Sequence, residues 1–406
     1  MSSRASVATP ASCGSRSVSD SREGTLPRLT DAATRIVRIG FGRSERLRFW
    51  RAGLAPYEGD PHFVVPLFAD CSARWNPAAD PFFRHAQVQH FVAVRAGRDV
   101  GRIAATVDRV QDETHGDRTG LFGWFETEDR AATAHALLDA ARAWLRERGR
   151  DRVRGPLSYT TNGISGLLVR DDRPGPPAID MAYNPPWYPG HLERWGLTKA
   201  KDLVALWMDI APTDDPRLAR ITRRILERGK FSLRSVRTDD AGFAQDVEHV
   251  LRIYNAAWEK NWGFVPMNAD ELRHQAKSFR PILVPELMVF AERDGEPVGF
   301  ALTLPDVNVM LGKIRGRLWP WSLLTLLRWK HRIRTVRVVT LGVIPKWRGT
   351  GLDATLVHAS IARARTLGIT GGECSWILED NEAMLASIRQ AGGREFRRYR
   401  LYEKAI

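Results

Sequence analysis

Val338-Val339-Thr340-Leu341-Gly342-Val343-Ile344-Pro345-Lys346-Trp347-Arg348-Gly349-Thr350-Gly351-Leu352-Asp353-Ala354-Thr355-Leu356 reads as a β-branched extended run, a basic turn rich in glycine, and the start of a helix. A helix N-terminus presents amides with no partner inside the helix and carries the positive end of the macrodipole, so this order builds an anion site. Gly349 and Gly351 supply the positive-φ or close-approach conformations that let backbone wrap a pyrophosphate, and Arg348 adds a fixed cation. Any tight strand-to-helix junction uses glycine, so the neighbouring segments decide what the turn is for.

The chain has 406 residues, 43% of them hydrophobic, which is enough for two domains with real cores. Its 61 Lys plus Arg against 47 Asp plus Glu give a formal charge of +14, which raises nucleic acid, anionic membrane and anionic cofactors as partners. Arginine is spread over the whole length, the pattern of a solvated basic surface, and no run has the aromatic interleaving of a nucleic-acid module. Cys13, Cys71 and Cys374 form no CxxC pair and the ten histidines lack ligand spacing, so neither a metal site nor a disulfide framework is expected. No stretch has the length of a transmembrane helix and the N-terminus lacks a secretory apolar core; the expected location is the cytoplasm.

Residues 1–31 are rich in serine with scattered arginine, as in a disordered tail; Asp20, Glu23 and Asp31 weigh against a transit peptide. Beyond them lies an internal repeat. Phe91 to Ala105 and Val289 to Leu302 share a strand, a glycine turn and a second strand opened by Val-Gly, with Gly97 to Gly295 and Gly101 to Gly299 both separated by 198. The same offset carries Arg35–Ile39 onto Leu233–Arg237. Each copy continues with an amphipathic helix. In the first its face is Ala134, Leu137, Leu138, Ala141, Trp144 and Leu145; in the second it is Ala354, Val357, Ile361 and Ala364. Strands follow at Val153 and at Gly372 to Leu378. Ile179 to Lys201 reads as an ordered loop, and Pro216 to Arg228 as a charged helix leading into the second copy.

This order, with Asn381 and a further helix behind it, resembles the GNAT superfamily of N-acetyltransferases, most closely over Glu286 to Gly392. The family's phosphate turn runs Arg or Gln, two residues, Gly, one residue, then Gly or Ala; Arg348 to Asp353 fits except at Asp353, whose carboxylate is expected to point away from the cofactor. The resemblance implies an α/β mixed-sheet fold with two acyl-CoA N-acyltransferase-like domains in tandem, at 32–212 and 213–406. It also implies acetyl-CoA or another acyl-CoA as co-substrate and a small-molecule amine as acceptor.

It further implies that Leu341, Gly342 and Val343 pair with the pantetheine arm beside a bulge, and that an amide there polarises the thioester carbonyl. Arg348, Gly349, Thr350, Gly351, Leu352 and Asp353 would cradle the pyrophosphate, and Asn381 would contact pantetheine or cap its helix. Many members carry a tyrosine after six intervening residues beyond that asparagine to protonate the thiolate; the place here is Ile388, and Tyr399 and Tyr402 are substitutes by residue type only. Glu379 first, then Glu373 and Asp380, are the candidate bases for the acceptor amine, each against the alternative of a surface or capping carboxylate.

The first copy has Gly123-Trp124-Phe125-Glu126-Thr127-Glu128-Asp129-Arg130 where the basic turn belongs, and three carboxylates repel a pyrophosphate. It is expected to be a structural partner or part of the acceptor site, with Gly155 to Asn162 as a polar loop at the cleft or an ordinary turn. Leu311 to Arg332 mixes leucine and tryptophan with basic residues, suited to peripheral membrane contact, to covering an acyl pocket, or to packing on the first copy. An acyl-CoA-dependent N-acyltransferase, with acetyl as the first choice of acyl group, leads. A non-catalytic acyl-CoA-binding protein and a basic nucleic-acid or membrane-surface protein are the alternatives.

Overall fold

The computed structural model describes residues 33–211, 215–314 and 333–406. The serine-rich 1–31 segment and most of the amphipathic 311–332 stretch lie outside them.

Each half builds strands and helices in parallel order. The first half runs β1 (Arg35–Ile39), α1 (Arg43–Ala52), α2 (Phe68–Arg74), β2 (Ala86–Arg95), β3 (Arg98–Asp108), α3 (Arg109–His115), β4 (Thr119–Thr127), α4 (Ala131–Arg146), β5 (Arg152–Gly155), β6 (Leu167–Asp171), α5 (Tyr188–Arg194) and β7 (Thr198–Asp209). The second runs α6 (Pro216–Gly229), β8 (Phe231–Ser235), α7 (Asp240–Trp258), α8 (Ala269–Phe279), β9 (Met288–Arg293), β10 (Glu296–Pro305) and α9 (Asn308–Ile314). It ends with β11 (Thr335–Val343), α10 (Leu352–Thr366), β12 (Gly371–Leu378), α11 (Glu382–Gln390) and β13 (Arg394–Ala405).

The hairpin repeat extends to its irregularities. Val94 pairs with Asp99 after a bulge, and Glu292 pairs with Pro297 after the corresponding one. The first strands depart from the common offset: Arg35 faces Val94 while Ser232 faces Glu292, so β8 aligns with β1 at 197 rather than 198.

The thirteen strands among the described residues form one mixed sheet, in the order β1-β2-β3-β4-β5-β13-β7-β12-β11-β10-β9-β8, with β6 pairing β13. The halves exchange their last strands. β13, the end of the chain, lies between β5 and β7, and β7 lies between β13 and β12. A cut at residue 212 therefore divides the sequence but not the hydrogen-bonded sheet.

The predicted face of α4 is buried as a whole, packed on β2 and β3. That of α10 is rotated. Leu352, Leu356 and Ala359 enter the sheet-side core, Ala354 is exposed, and Val357 and Ile361 border a cavity. Both flanks of α10 are covered, so the apolar pattern alone does not select the sheet side. Inside the stretch read as a loop, Tyr188–Arg194 forms α5, with Pro189 tolerated in its first turn.

Candidate functional site

β11 pairs with β12 in parallel only from Thr335↔Gly371 to Val338↔Cys374. The bulge lies at Val339, two residues before the expected Leu341, because Leu302 faces Thr340 while Thr303 faces Val338. From Val339 onward the β12-facing edge of β11 is unpaired by its neighbour, and Leu341, Gly342 and Val343 lie on that free edge. Beyond it, Gly349 and Gly351 adopt φ of 73° and 82°. The first bond of α10 is Thr355 N–H to Gly351 O at 2.9 Å, so the amides from Gly349 to Ala354 lie ahead of it.

The turn and the free edge border one cavity of about 820 Å³. Arg348, Gly349, Asp353, Asn381 and Ile388 all border it. Asp353, in the first turn of α10, is among the bordering residues. The Arg348 guanidinium donates to the Ala257 carbonyl near the C-terminus of α7, and Thr350 Oγ1 donates to Trp347 O at 2.7 Å, so both side chains brace the turn. Asn381 Oδ1 accepts from Met384 N–H at 3.3 Å as the α11 cap while bordering the cavity. Ile388 is buried wall. Tyr399 and Tyr402 are buried sheet residues that do not reach the cavity, and Tyr402 donates to Glu193 at 3.1 Å.

The three candidate bases separate. Glu379 accepts from Lys199 at 2.7 Å and from the Asp202 amide at 3.0 Å, and it does not border the cavity. Asp380 does, but its hydrogen bond with Lys201 (2.8 Å) holds its carboxyl below the usual range. Glu373 is fully buried behind Ser375, whose Oγ donates to Glu373 Oε1 at 2.7 Å and which itself borders the cavity. Burial raises the Glu373 carboxyl above its ordinary pKa, and Arg337 draws it part of the way back. Nearby, burial and then the charge of Glu373 push Asp306 up to about 7.

Several cavity residues had no local signal in the sequence. α7 and α8 contribute an apolar wall that includes Phe243, Val247, Val250, Leu272, Ala276 and Phe279. Trp258 covers Gly342, where a β-carbon would come within 2.6 Å of the indole, so this position accepts no side chain. Tyr254 donates to Asn162 Oδ1 at 2.7 Å, and Asn162 Nδ2 donates to Val265 O at 3.1 Å. Asn162 belongs to the polar loop of the first half, which with Arg74 and Asp180 closes one end of the cavity.

The corresponding cleft of the first half is closed. Leu157 N–H bonds Phe122 O at 2.8 Å and its carbonyl presses on Gly123, where a β-carbon would lie 1.6 Å away. Glu126 faces Arg102 of β3 as Gly342 faces Phe300 of β10; its buried carboxylate accepts from Tyr57 (2.6 Å) and Tyr188 (2.9 Å). Glu128 is paired with Arg95 and Thr133. The Leu157 backbone and the side chains around Glu126 thus close the gap between these strands.

α8 is tied to the first half by ion pairs. Asp270 pairs with Arg84, and Glu271 with His85 Nε2, whose Nδ1 meets Asp108 at 2.8 Å. Burial alone lowers the His85 pKa, but hydrogen bonds to Asp108 and Glu271 overcome it and raise the value to about 9 from 6.5. A raised histidine stabilises the fold fully below its unfolded pKa and loses that contribution as pH rises through the folded one. The melting temperature is therefore expected to fall between about pH 6.5 and 9. Glu271→Gln should flatten that slope, which melting curves across this window test.

Among the described residues, no group of His, Cys, Asp and Glu is placed to hold a metal ion and no helix is long and apolar enough to cross a membrane. The family model described as acetyltransferase (GNAT) family matches residues 247–392. Over 358 residues, 86% of this chain and 91% of the relative, it is 37% identical to a protein named bacterial ceramide synthase from Caulobacter vibrioides. It is also 32% identical to protein YghO of Escherichia coli, over 91% of this chain and 95% of that one. Among solved structures, the tandem GNAT protein from the clavulanic acid biosynthesis pathway superposes with a TM-score of 0.54 at 14% identity, covering 92% of this chain and 98% of that one. An N-acetyltransferase of the same superfamily from Sphaerobacter thermophilus gives 0.51 at 14% identity, over 94% and 97%. The splayed strands, the glycine turn and this kinship over nearly the full length agree: the chain belongs to the GNAT superfamily of acyltransferases.

Proposed function

We propose that this protein transfers a long acyl chain from acyl-CoA to the amine of a lipid-like acceptor. The observation that carries it is the apolar extension of the cavity between α7 and α8. An acetyl group leaves the wall of Phe243, Val247, Val250, Leu272, Ala276 and Phe279 uncovered, whereas each buried methylene contributes about 0.8 kcal/mol. The kinship with a protein named bacterial ceramide synthase supports the same acceptor class, a long-chain amine. A long acyl group thus replaces acetyl as the preferred reading.

In this proposal the amides from Gly349 to Ala354 hold the pyrophosphate, and an amide on the free edge at Leu341 to Val343 polarises the thioester carbonyl. Glu373, acting through Ser375 Oγ, takes the proton of the attacking amine, in place of Glu379. Residues 33–211 serve as the non-binding partner that completes the acceptor end through Arg74, Asn162 and Asp180.

Thiol release is to be measured with acyl-CoAs of graded length over a panel of simple and long-chain amines. Rates rising with chain length support the proposal; turnover confined to acetyl-CoA overturns it. Ala276→Trp, on a helix with no fully buried residue, should narrow the apolar end and spare short acyl-CoAs. Loss of contact for about four methylenes at ~0.8 kcal/mol each predicts a roughly hundredfold drop in kcat/KM for long chains only.

A further inference from the structure

α6 flanks the glycine turn through Ile225, and its outer surface is built for a second ligand. Its fourteen residues carry Arg217, Arg220, Arg223, Arg224 and Arg228 against one acidic side chain, Glu227, and none of them is buried. Leu218 and Ile221 are 39% and 54% exposed, two of the four large apolar side chains exposed in this way among the described residues. The helix packs along α10 through Thr222, 3.1 Å from His358 Nδ1, and through Ile225, which touches the Gly351 position. Ile221 shares one helical stripe with Arg217, Arg224 and Arg228, at spacings of four, three and four, so an apolar side chain stands outward among guanidinium groups.

Beside the helix lies a second groove of about 440 Å³, bordered by Ile221, Arg224, Arg228, Phe231, Arg293 and Trp347. Arg293 stacks over Trp347, 4.3 Å from the ring centroid. Arg224 and Arg228 have no hydrogen-bond or ion-pair partner among the described residues. Unpaired guanidinium groups around an apolar floor match a phosphate attached to hydrocarbon, since the fork of arginine suits phosphate oxygens and the floor suits the chain.

We infer that α6 and this groove form a docking surface for anionic phospholipid, with arginines 217, 224 and 228 on the headgroup phosphates and Leu218 and Ile221 below them. Nucleic acid offers the phosphates and can stack on an aromatic ring, but it offers nothing for the two exposed aliphatic side chains. The inference does not depend on the acyl-transfer reading.

The test is flotation of the full chain with vesicles of phosphatidylcholine alone or mixed with phosphatidylglycerol, at low and high salt. Binding is expected only to the mixed vesicles and should weaken with salt. Each arginine near an anionic surface contributes about fivefold, so Arg217→Gln with Arg224→Gln and Arg228→Gln should weaken binding roughly a hundredfold. Leu218→Ser with Ile221→Ser should weaken it separately. Circular dichroism identifies any variant that fails to fold, and the other variant then decides. Wild-type binding that ignores phosphatidylglycerol, or a folded variant that floats as well as wild type, overturns the inference. So does equal affinity for duplex DNA with no effect of the Leu218 and Ile221 changes. A raised KM for soluble acyl-CoA in the arginine variant, with vesicle binding intact, reassigns the rim to the cofactor and overturns it too.

Discussion

Gly349→Glu is expected to abolish acyl-CoA binding while leaving the protein folded. Gly349 has φ 73°, and a β-carbon there meets nothing within 4 Å, so the new side chain enters open space instead of displacing core atoms. The left-handed backbone makes any L residue cost about 1–2 kcal/mol, a modest loss of melting temperature. The carboxylate, by contrast, is placed among the amides that lie ahead of the first bond of α10. It satisfies donors meant for phosphate and repels the pyrophosphate. Hydrogen bonds to charged groups contribute about 1.5–3 kcal/mol each, so affinity should fall at least on the order of a hundredfold. Titration with acyl-CoA, followed by calorimetry or by ligand-induced melting shift, measures it. Unchanged affinity in a folded variant removes the turn, and the transferase reading with it. Gly351 is a poorer choice, because a β-carbon there lies 2.8 Å from Ile225 and steric repacking confuses the outcome.

Glu373→Gln is expected to lower kcat by roughly a hundredfold or more with little change in KM for acyl-CoA, as for loss of a general base. Glutamine keeps an acceptor for the Ser375 hydroxyl but has no carboxylate to hold a proton. In the wild type the carboxyl is raised first by burial, so kcat should climb as pH passes that raised value, and the climb should vanish in the variant. A merely structural role does not move the pH profile. The change also leaves Arg337 buried beside a neutral neighbour; its Nη1 still donates to Ile179 O at 2.8 Å, so melting should be followed in parallel. Ser375→Ala should reproduce the kinetic loss without removing the charge. Glu379→Gln, which breaks an ion pair with Lys199 outside the cavity, should leave kcat near wild type. The reverse ranking would restore Glu379 and refute the relay through Ser375.

Much of the site was legible because its signals are local. The order of strand, glycine turn and helix is written in consecutive residues, and the geometry of Gly349 and Gly351 follows from their lack of a β-carbon. The hairpin repeat was legible for the same reason: turn chemistry and alternation fix the Val94–Asp99 and Glu292–Pro297 pairs together with their bulges. The face of α4 was legible because only one side of that helix meets the sheet. The face of α10 was not, because α6 and the cavity give its other flank apolar neighbours as well.

Ion pairing set the limit on reading the candidate bases. Glu379 and Glu373 are equivalent as letters, both near the cleft strand. Lys199 and Lys201, nearly 180 positions away, engage Glu379 and Asp380, while Glu373 is left under Ser375 at the cavity wall. The closure of the first cleft was half legible. Acidic residues in place of the basic turn marked the first half as different at this point, but the seal by Leu157 and the anchoring of Glu126 by Tyr57 and Tyr188 come from distant segments.

The amino-acid sequence by itself determined the glycine turn, the two-copy plan and the superfamily, since each rests on backbone freedom, turn chemistry or side-chain alternation within a few residues. Only the tertiary structure decided that β7 and β13 change places, that α7 and α8 wall an apolar chamber, and that Ser375 stands between Glu373 and that chamber. Those outcomes depend on which surfaces bury one another across hundreds of residues, and the pairing of distant segments leaves no mark on the local pattern of either.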